Sequence, residues 1–200
     1  MRNAEATKER ILEAALAEFS AHGIAGARVD RIAQAARCNK NLIYIYFEDK
    51  ETLFATVLRK HLMRIHEEQP FTPDDLPGYG AKVFDWALAN PDLMRLMAWS
   101  ALEQQAKDKA ERVAALEGKV AALTEAQHAG RVGTAFPPDF LLIAVMSLAA
   151  AWSVASPFGP SVNPKAAERP DALRESLIEA VRLLADAGKG ARAQGRSKKR

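Results

Sequence analysis

The chain has 200 residues, of which 48% are apolar and 26% charged, with a formal net charge of +3. That length supports one or two domains with a real core, and the composition is that of an ordinary globular protein rather than a disordered or fibrous one. A single cysteine excludes an internal disulfide and fits a reducing, cytoplasmic setting.

The N-terminal MRNAEATKER lacks the apolar core of a secretion signal. Helix one is expected from about Thr7 to His22, burying Ile11, Leu12, Ala15, Leu16 and Phe19, and stopping at Gly23. Helix two follows with Val29, Ile32, Ala33 and Ala36 at helical spacing. A short break at Arg37-Cys38 leads to helix three. Ile43 and Phe47 anchor that helix, while Lys40, Asn41, Tyr44 and Tyr46 supply its polar or amphipathic groups. Two short helices around a tight turn, the second tipped with hydrogen-bond donors, have the geometry that fits a DNA major groove. The local charge agrees: Arg28, Arg31, Arg37 and Lys40 face only Asp30.

Helix four starts after Asp49, a good N-cap, with Glu51 in its first turn. Its stripe of Leu53, Phe54, Val57, Leu58, His61, Leu62 and Ile65 carries it to about Glu68. A break is expected at Pro70, Pro73, Pro77 and Gly78. Helices five and six, about Tyr79 to Ala89 and Asp92 to Gln105, are parted at Asn90-Pro91. Helix seven, about Lys107 to Ala129, places Val113, Leu116, Val120, Leu123 and Gln127 on one buried face. Helix eight opens at Pro137-Pro138 and runs to about Ala155. Its apolar run, Phe140 to Ala155, is interrupted by Ser147 and Ser153 and falls short of the roughly 18–20 residues that span a bilayer. Residues 156–170 read as a loop. Helix nine, about Asp171 to Ala187, buries Leu173, Leu177, Val181 and Leu184. The tail 188–200 holds Lys189, Arg192, Arg196, Lys198, Lys199 and Arg200 with no acid, so the high isoelectric point is largely its property. With nothing apolar to bury, it is expected to be disordered. The fold class is all-α, with no alternating strand pattern.

Ile11, Ala15, Phe19 and Gly23, then Ile32-Ala33, Tyr44-Ile45-Tyr46-Phe47, Lys50 and Leu53, agree in order and spacing with one family. Over residues 7 to 58 the chain resembles the tetracycline-repressor (TetR) family of bacterial transcriptional regulators. The rest resembles only generically the family's helical C-terminal domain. The resemblance implies an N-terminal three-helix helix-turn-helix DNA-binding domain (1–50), a helical ligand-binding and dimerisation domain (51–187) and a basic tail (188–200), with the domain boundary inside helix four or at the proline break that follows it. Departures are visible. Arg37 stands where the turn usually holds Gly, which points to an unusual backbone there. Arg28 replaces a capping Ser or Thr, and Leu42 a small hydroxyl residue.

The expected DNA-contacting residues are Arg28, Asn39, Lys40, Asn41, Tyr44, Tyr46 and Lys50. Lysine can donate to guanine and asparagine can pair with adenine in the major groove. Tyr44 and Lys50 match the family's phosphate-contacting positions, which set register without reading sequence. Asn39 can equally be only a helix cap, and Tyr44 only a packed ring with a wet hydroxyl. Candidate ligand contacts are His61, on the stripe that borders the family's cavity, and Trp86, Met94, Met97 and Trp99. All five can also be simple core residues. Cys38 can be a redox switch beside Arg37, or a small apolar filler where the family often has Val. His22, His61, His66 and His128 form no metal-binding pattern, and no nucleotide loop or nucleophile motif points to an enzyme or to a cofactor.

The expected partners are a partly palindromic double-stranded DNA operator, a small-molecule effector and a second copy of the chain, with no membrane. The homodimer is expected to form through helices eight and nine, as in the family. The competing readings are a DNA-binding regulator without an effector, and a helical adaptor or enzyme that contains a helix-turn-helix.

Overall fold

The computed structural model describes residues 2–103, 109–165 and 168–189. From residue 190 onward, the expectation of a disordered tail lies outside them. Every regular element among these residues is helical. The α-helices are α1 (Arg2–Gly26), α2 (Val29–Ala35), α3 (Lys40–Phe47), α4 (Lys50–Glu68), α5 (Leu76–Ala89), α6 (Pro91–Leu102), α7 (Lys109–His128), α8 (Pro138–Ala150), α9 (Gly159–Val162) and α10 (Pro170–Asp186), with a 3₁₀ turn at Pro73–Asp75. The helix expected ninth is therefore α10, because a four-residue helix intervenes. Among the described residues no helix is long and apolar enough to cross a membrane.

The chain divides into two compact units, Met1–Glu68 with Asn90–Lys109, and Gln69–Ala89 with Ala110–Arg200. The cut after Glu68 lies at the proline break that follows α4, and α6 joins the first unit. The apolar stripe of α1 is the reason: Ile11, Leu12, Ala15 and Phe19 are all at most 4% exposed, and two short helices cannot cover them. α4 packs there, with Phe54 edge-on to Phe19 at 5.2 Å between ring centroids. α6 packs there too, and the Trp99 indole N–H donates to the Ser20 carbonyl at 3.2 Å.

Gly23 does not end α1 as expected. It kinks it, at φ 64° and ψ −178°, and the helix resumes to Gly26. This backbone region is essentially open to glycine alone. The kink frees the Ile24 N–H, which donates to a Glu103 carboxylate oxygen at 3.0 Å. A Cβ on Gly23 would lie 2.5 Å from the other Glu103 oxygen and 2.9 Å from the Trp99 ring.

In the second unit, α5, α7, α8 and α10 surround a core built on Leu76, Phe84, Leu123, Leu141, Leu142, Val145 and Val181. α5 begins earlier than expected, at Leu76, with Pro77 and Gly78 inside its first turn. A missing proline N–H costs little there, and Asp75 accepts the Gly78 N–H at 2.9 Å. α8 ends at Ala150 rather than Ala155, because Ala151 and Ser153 donate three residues back, to Leu148 and Ala150. On α7 burial deepens toward the C-terminus. Val113, expected inside, is 43% exposed, while Leu123 is fully covered. The buried Gln127 amide donates to the carbonyls of Gly133 and Phe136 at 2.8 and 2.9 Å. The same loop caps α10, through Gly133 N–H to Ala185 and Ala135 N–H to Ala187.

Candidate nucleic-acid interface

The core side of the helix-turn-helix follows the sequence spacing. Val29, Ile32, Ala33 and Ala36 of the first helix and its cap, and Ile43 and Phe47 of the second, are all at most 9% exposed. The turn closes as a Schellman motif: Cys38 N–H donates to Ala33 O at 3.0 Å and Arg37 N–H to Gln34 O at 3.1 Å. That closure needs a left-handed residue, and Arg37 takes it at φ 51°. The absent glycine therefore leaves its backbone conformation behind, at a cost of about 1–2 kcal/mol.

Each end of the reading helix is fixed locally. The Asn39 side chain caps α3 by accepting the Asn41 N–H at 2.9 Å. Glu48 leaves the helix at φ 63°. Asp49 caps α4 by accepting the Thr52 N–H at 2.6 Å, as its position before that helix leads one to expect. With Ile43 and Phe47 turned inward, Asn41, Tyr44 and Ile45 are exposed together on the opposite face. Tyr46 is half-buried, with its ring edge-on to Phe47 at 6.3 Å.

Arg28, Lys40, Tyr44 and Lys50 come together. They line one shallow depression of about 430 Å³ with Ala27, Val29, Asp30, Asp49 and Glu51. Two of the cations are already engaged. Lys40 Nζ lies 2.9 Å from Asp30 Oδ1, and this hydrogen bond holds its pKa above the ordinary value. Lys50 Nζ donates to the Ala27 carbonyl at 3.3 Å. Asn39, the cap before α3, and Asn41 in its first turn do not line the depression.

Glu18 belongs to the site without a local sequence signal. Its carboxylate accepts the Arg28 backbone N–H at 2.8 Å and Arg31 Nε at 2.7 Å. It thereby caps α2 from the side of α1, where Arg28 itself offers no side-chain cap. Burial pushes the Glu18 pKa up, but the bonds from Arg31 and Arg28, and the Arg31 and His22 charges, outweigh it and leave the value lowered. Arg31, expected as part of a free basic cluster, spends its charge on this carboxylate. Arg10 belongs to the site as well; its Nε donates to the Ala36 carbonyl at 3.2 Å, tying α1 to the end of α2. Nothing local in the sequence marks either partner. Burial pushes the Cys38 thiol pKa up, with Arg10 opposing. That direction disfavours the thiolate a redox switch needs.

The candidate ligand residues are divided between the units. His61, Met94, Met97 and Trp99 belong to the first and Trp86 to the second. Met94 is buried at 8% exposure, and Trp99 is held on α1 as described. Among the described residues no group of histidine, cysteine and acidic side chains could hold a metal ion.

A capped two-helix reader with cations and hydrogen-bond donors on its outer face defines a helix-turn-helix DNA-binding protein. Residues 11–57 match the family described as bacterial regulatory proteins, tetR family, and residues 75–182 match the tetracyclin repressor-like C-terminal domain. The chain is 40% identical over 189 residues to the HTH-type transcriptional repressor SCO4008 of Streptomyces coelicolor, covering 92% of this chain and 98% of that one. The crystal structure of SCO4942, also from Streptomyces coelicolor, superposes with a TM-score of 0.77 at 38% identity, over 88% of this chain and 96% of that one. FadR from Bacillus subtilis, solved in complex with stearoyl-CoA, shares the fold at 18% identity and a TM-score of 0.65, over 89% and 97% of the two chains. The chain belongs to the TetR family of transcriptional regulators.

Proposed function

We propose that this regulator is a homodimeric repressor that reads a partly palindromic operator with α3 and releases it when a small molecule binds. The observation that carries the DNA reading is the outer face of α3. Asn41 and Tyr44 are exposed there, and Arg28, Lys40, Tyr44 and Lys50 line one depression beside it. Asn41 and Lys40 are the base readers. Arg28, Tyr44 and Lys50 hold phosphates, Asn39 caps the helix, and Tyr46 supports it from its half-buried position. Lys40 exchanges Asp30 for DNA on binding. Two copies place their reading helices in major grooves about one helical turn, ~34–36 Å, apart.

Dimerisation is assigned to α8 and α10. Phe140 and Ile143 of α8 and Leu183 of α10 are 54%, 57% and 60% exposed in the single chain, an apolar face that a second copy would cover. Val181 does not serve this role directly, since it is fully buried in the single chain.

FadR, a transcriptional regulator of the same fold, was solved in complex with a small molecule, stearoyl-CoA. The candidate effector contacts of the first unit, His61, Met94 and Met97, suit a largely apolar molecule with one or two polar groups. The effector acts only through its different affinity for the operator-binding and released forms.

The test is a gel shift on the DNA upstream of the chain's own gene. Wild type should give a discrete complex, and Lys40→Ala should lose about 1–3 kcal/mol on it. Equal binding by the two would reject the base-reading assignment. Titration of the complex with small molecules extracted from the host should release the DNA. Retention throughout would favour a regulator without an effector.

A further inference from the structure

α3 carries one outward side chain that its hydrogen-bonding role leaves unexplained. Ile45 is 71% exposed, between Tyr44 at 43% and the half-buried Tyr46. It sits one turn beyond Asn41 on the same face, opposite the buried Ile43 and Phe47. A lone exposed isoleucine is unremarkable on most surfaces. This one lies on the face whose neighbours are the hydrogen-bonding groups of the reading helix, where the other exposed residues, Asn41 and Tyr44, are polar or amphipathic. In a major groove the one apolar feature of a base edge is the thymine C5-methyl.

We infer that Ile45 is a specificity-determining residue, which selects thymine by covering its methyl group in the major groove. The inference rests on the assignment of α3 as the reading helix. It also fixes a spacing. Four residues of helix rise about 6 Å, and base pairs are stacked about 3.4 Å apart. The thymine read by Ile45 should therefore lie roughly two base pairs from the base read by Asn41. Burying one methyl is worth about a four-fold change in affinity. A dimer reading two half-sites should show about 15-fold when both methyls are removed.

The experiment uses the full chain and a duplex obtained by selection from a random DNA pool. Thymines are replaced by deoxyuridine, one symmetric pair at a time, which deletes only the methyl. Wild type should lose about 15-fold at one pair of positions and little elsewhere. Ile45→Ala, at an exposed site, should keep the wild-type melting temperature, bind the thymine duplex about 15-fold more weakly, and not distinguish thymine from uracil at that pair. Two results would overturn the assignment while leaving DNA reading by α3 intact. One is a wild type indifferent to every replacement. The other is an Ile45→Ala protein that keeps the full thymine preference. Failure of the wild type to select any sequence from the pool would overturn the assignment and the reading beneath it together.

Discussion

In the DNA-reading unit, side chains from distant parts of the chain close the backbone of the helices. Glu18 of α1 caps α2, Arg10 of α1 holds the carbonyl of Ala36, and Glu103 beyond α6 takes the N–H freed by the Gly23 kink. In the second unit the backbone itself does this work. The loop before α8 satisfies the last carbonyls of α10, and one amide, Gln127, fixes that loop. In the first unit the helix ends are thus fixed in part by a carboxylate, Glu18, whose hydrogen bonds depend on its ionisation, and in the second by backbone and amide hydrogen bonds that do not. A reading surface must hold a few donors at fixed positions, and charge-assisted hydrogen bonds are directional enough to do so.

The sharpest way to break this contrast is in the second unit. Val181→Asp buries an unpaired charge in the core and should cost more than ~4 kcal/mol, abolishing cooperative unfolding of that unit. Ile143→Glu, at a 57% exposed site, should leave the single chain within about 0.5 kcal/mol of wild type and yield monomers in sedimentation. If Ile143→Glu sediments as wild type does, α8 does not form the dimer face.

A smaller effect is expected at the kink. Gly23→Ala forces a side chain into a glycine-only backbone region and against Glu103 and Trp99. Chemical denaturation should show a loss of about 1–3 kcal/mol. An unchanged midpoint would mean that α1 can straighten without harm.

Glu18 tests the role of charge directly. Its pKa is lowered in the folded chain, so the unfolded chain takes up the proton first as the pH falls. The stabilisation is complete above the ordinary carboxylate pKa of 4.5. It disappears as the pH drops from there through the lowered folded value. Glu18→Gln should be less stable at pH 7 and should lose less stability than wild type below about pH 5. Identical acid-denaturation profiles would remove Glu18 from this role.

The smallest expected change is at Arg37. Arg37→Gly relieves a left-handed residue and should gain about 1 kcal/mol or less, part of it offset by the greater freedom of glycine when unfolded. A loss of stability would mean that the exposed guanidinium makes a contact worth more than the strain.

These cases also explain what could be read in advance. The buried faces of α2 and α3, the Asn39 and Asp49 caps and the odd turn at Arg37 are set by residues within a few positions of one another, so spacing and composition expose them. Glu18, Arg10, Trp99 and Glu103 act across 10 to 79 residues, and nothing beside them in the chain marks them. For the same reason the sequence does not mark which unit α6 joins. Its stripe is apolar wherever it packs, and only its partner, α1, decides its unit. Val181 and Ile143 illustrate a second limit. Both are β-branched apolar residues on helices, yet one fills the subunit core and the other lies on its surface. Tyr46 could have faced either way, and only packing against Phe47 places it.

On the proposed assignment the outer face of α3 reads bases while the cations around it hold phosphates. Operator and unrelated DNA should be titrated with wild type, Asn41→Ala and Lys50→Ala across a range of salt. Asn41→Ala should lose about 1–3 kcal/mol on the operator and nothing on unrelated DNA. Lys50→Ala should weaken both alike and reduce the salt slope by about one. Wild-type operator affinity in Asn41→Ala, or a loss equal on both DNAs, would contradict the assignment of α3 as the base reader.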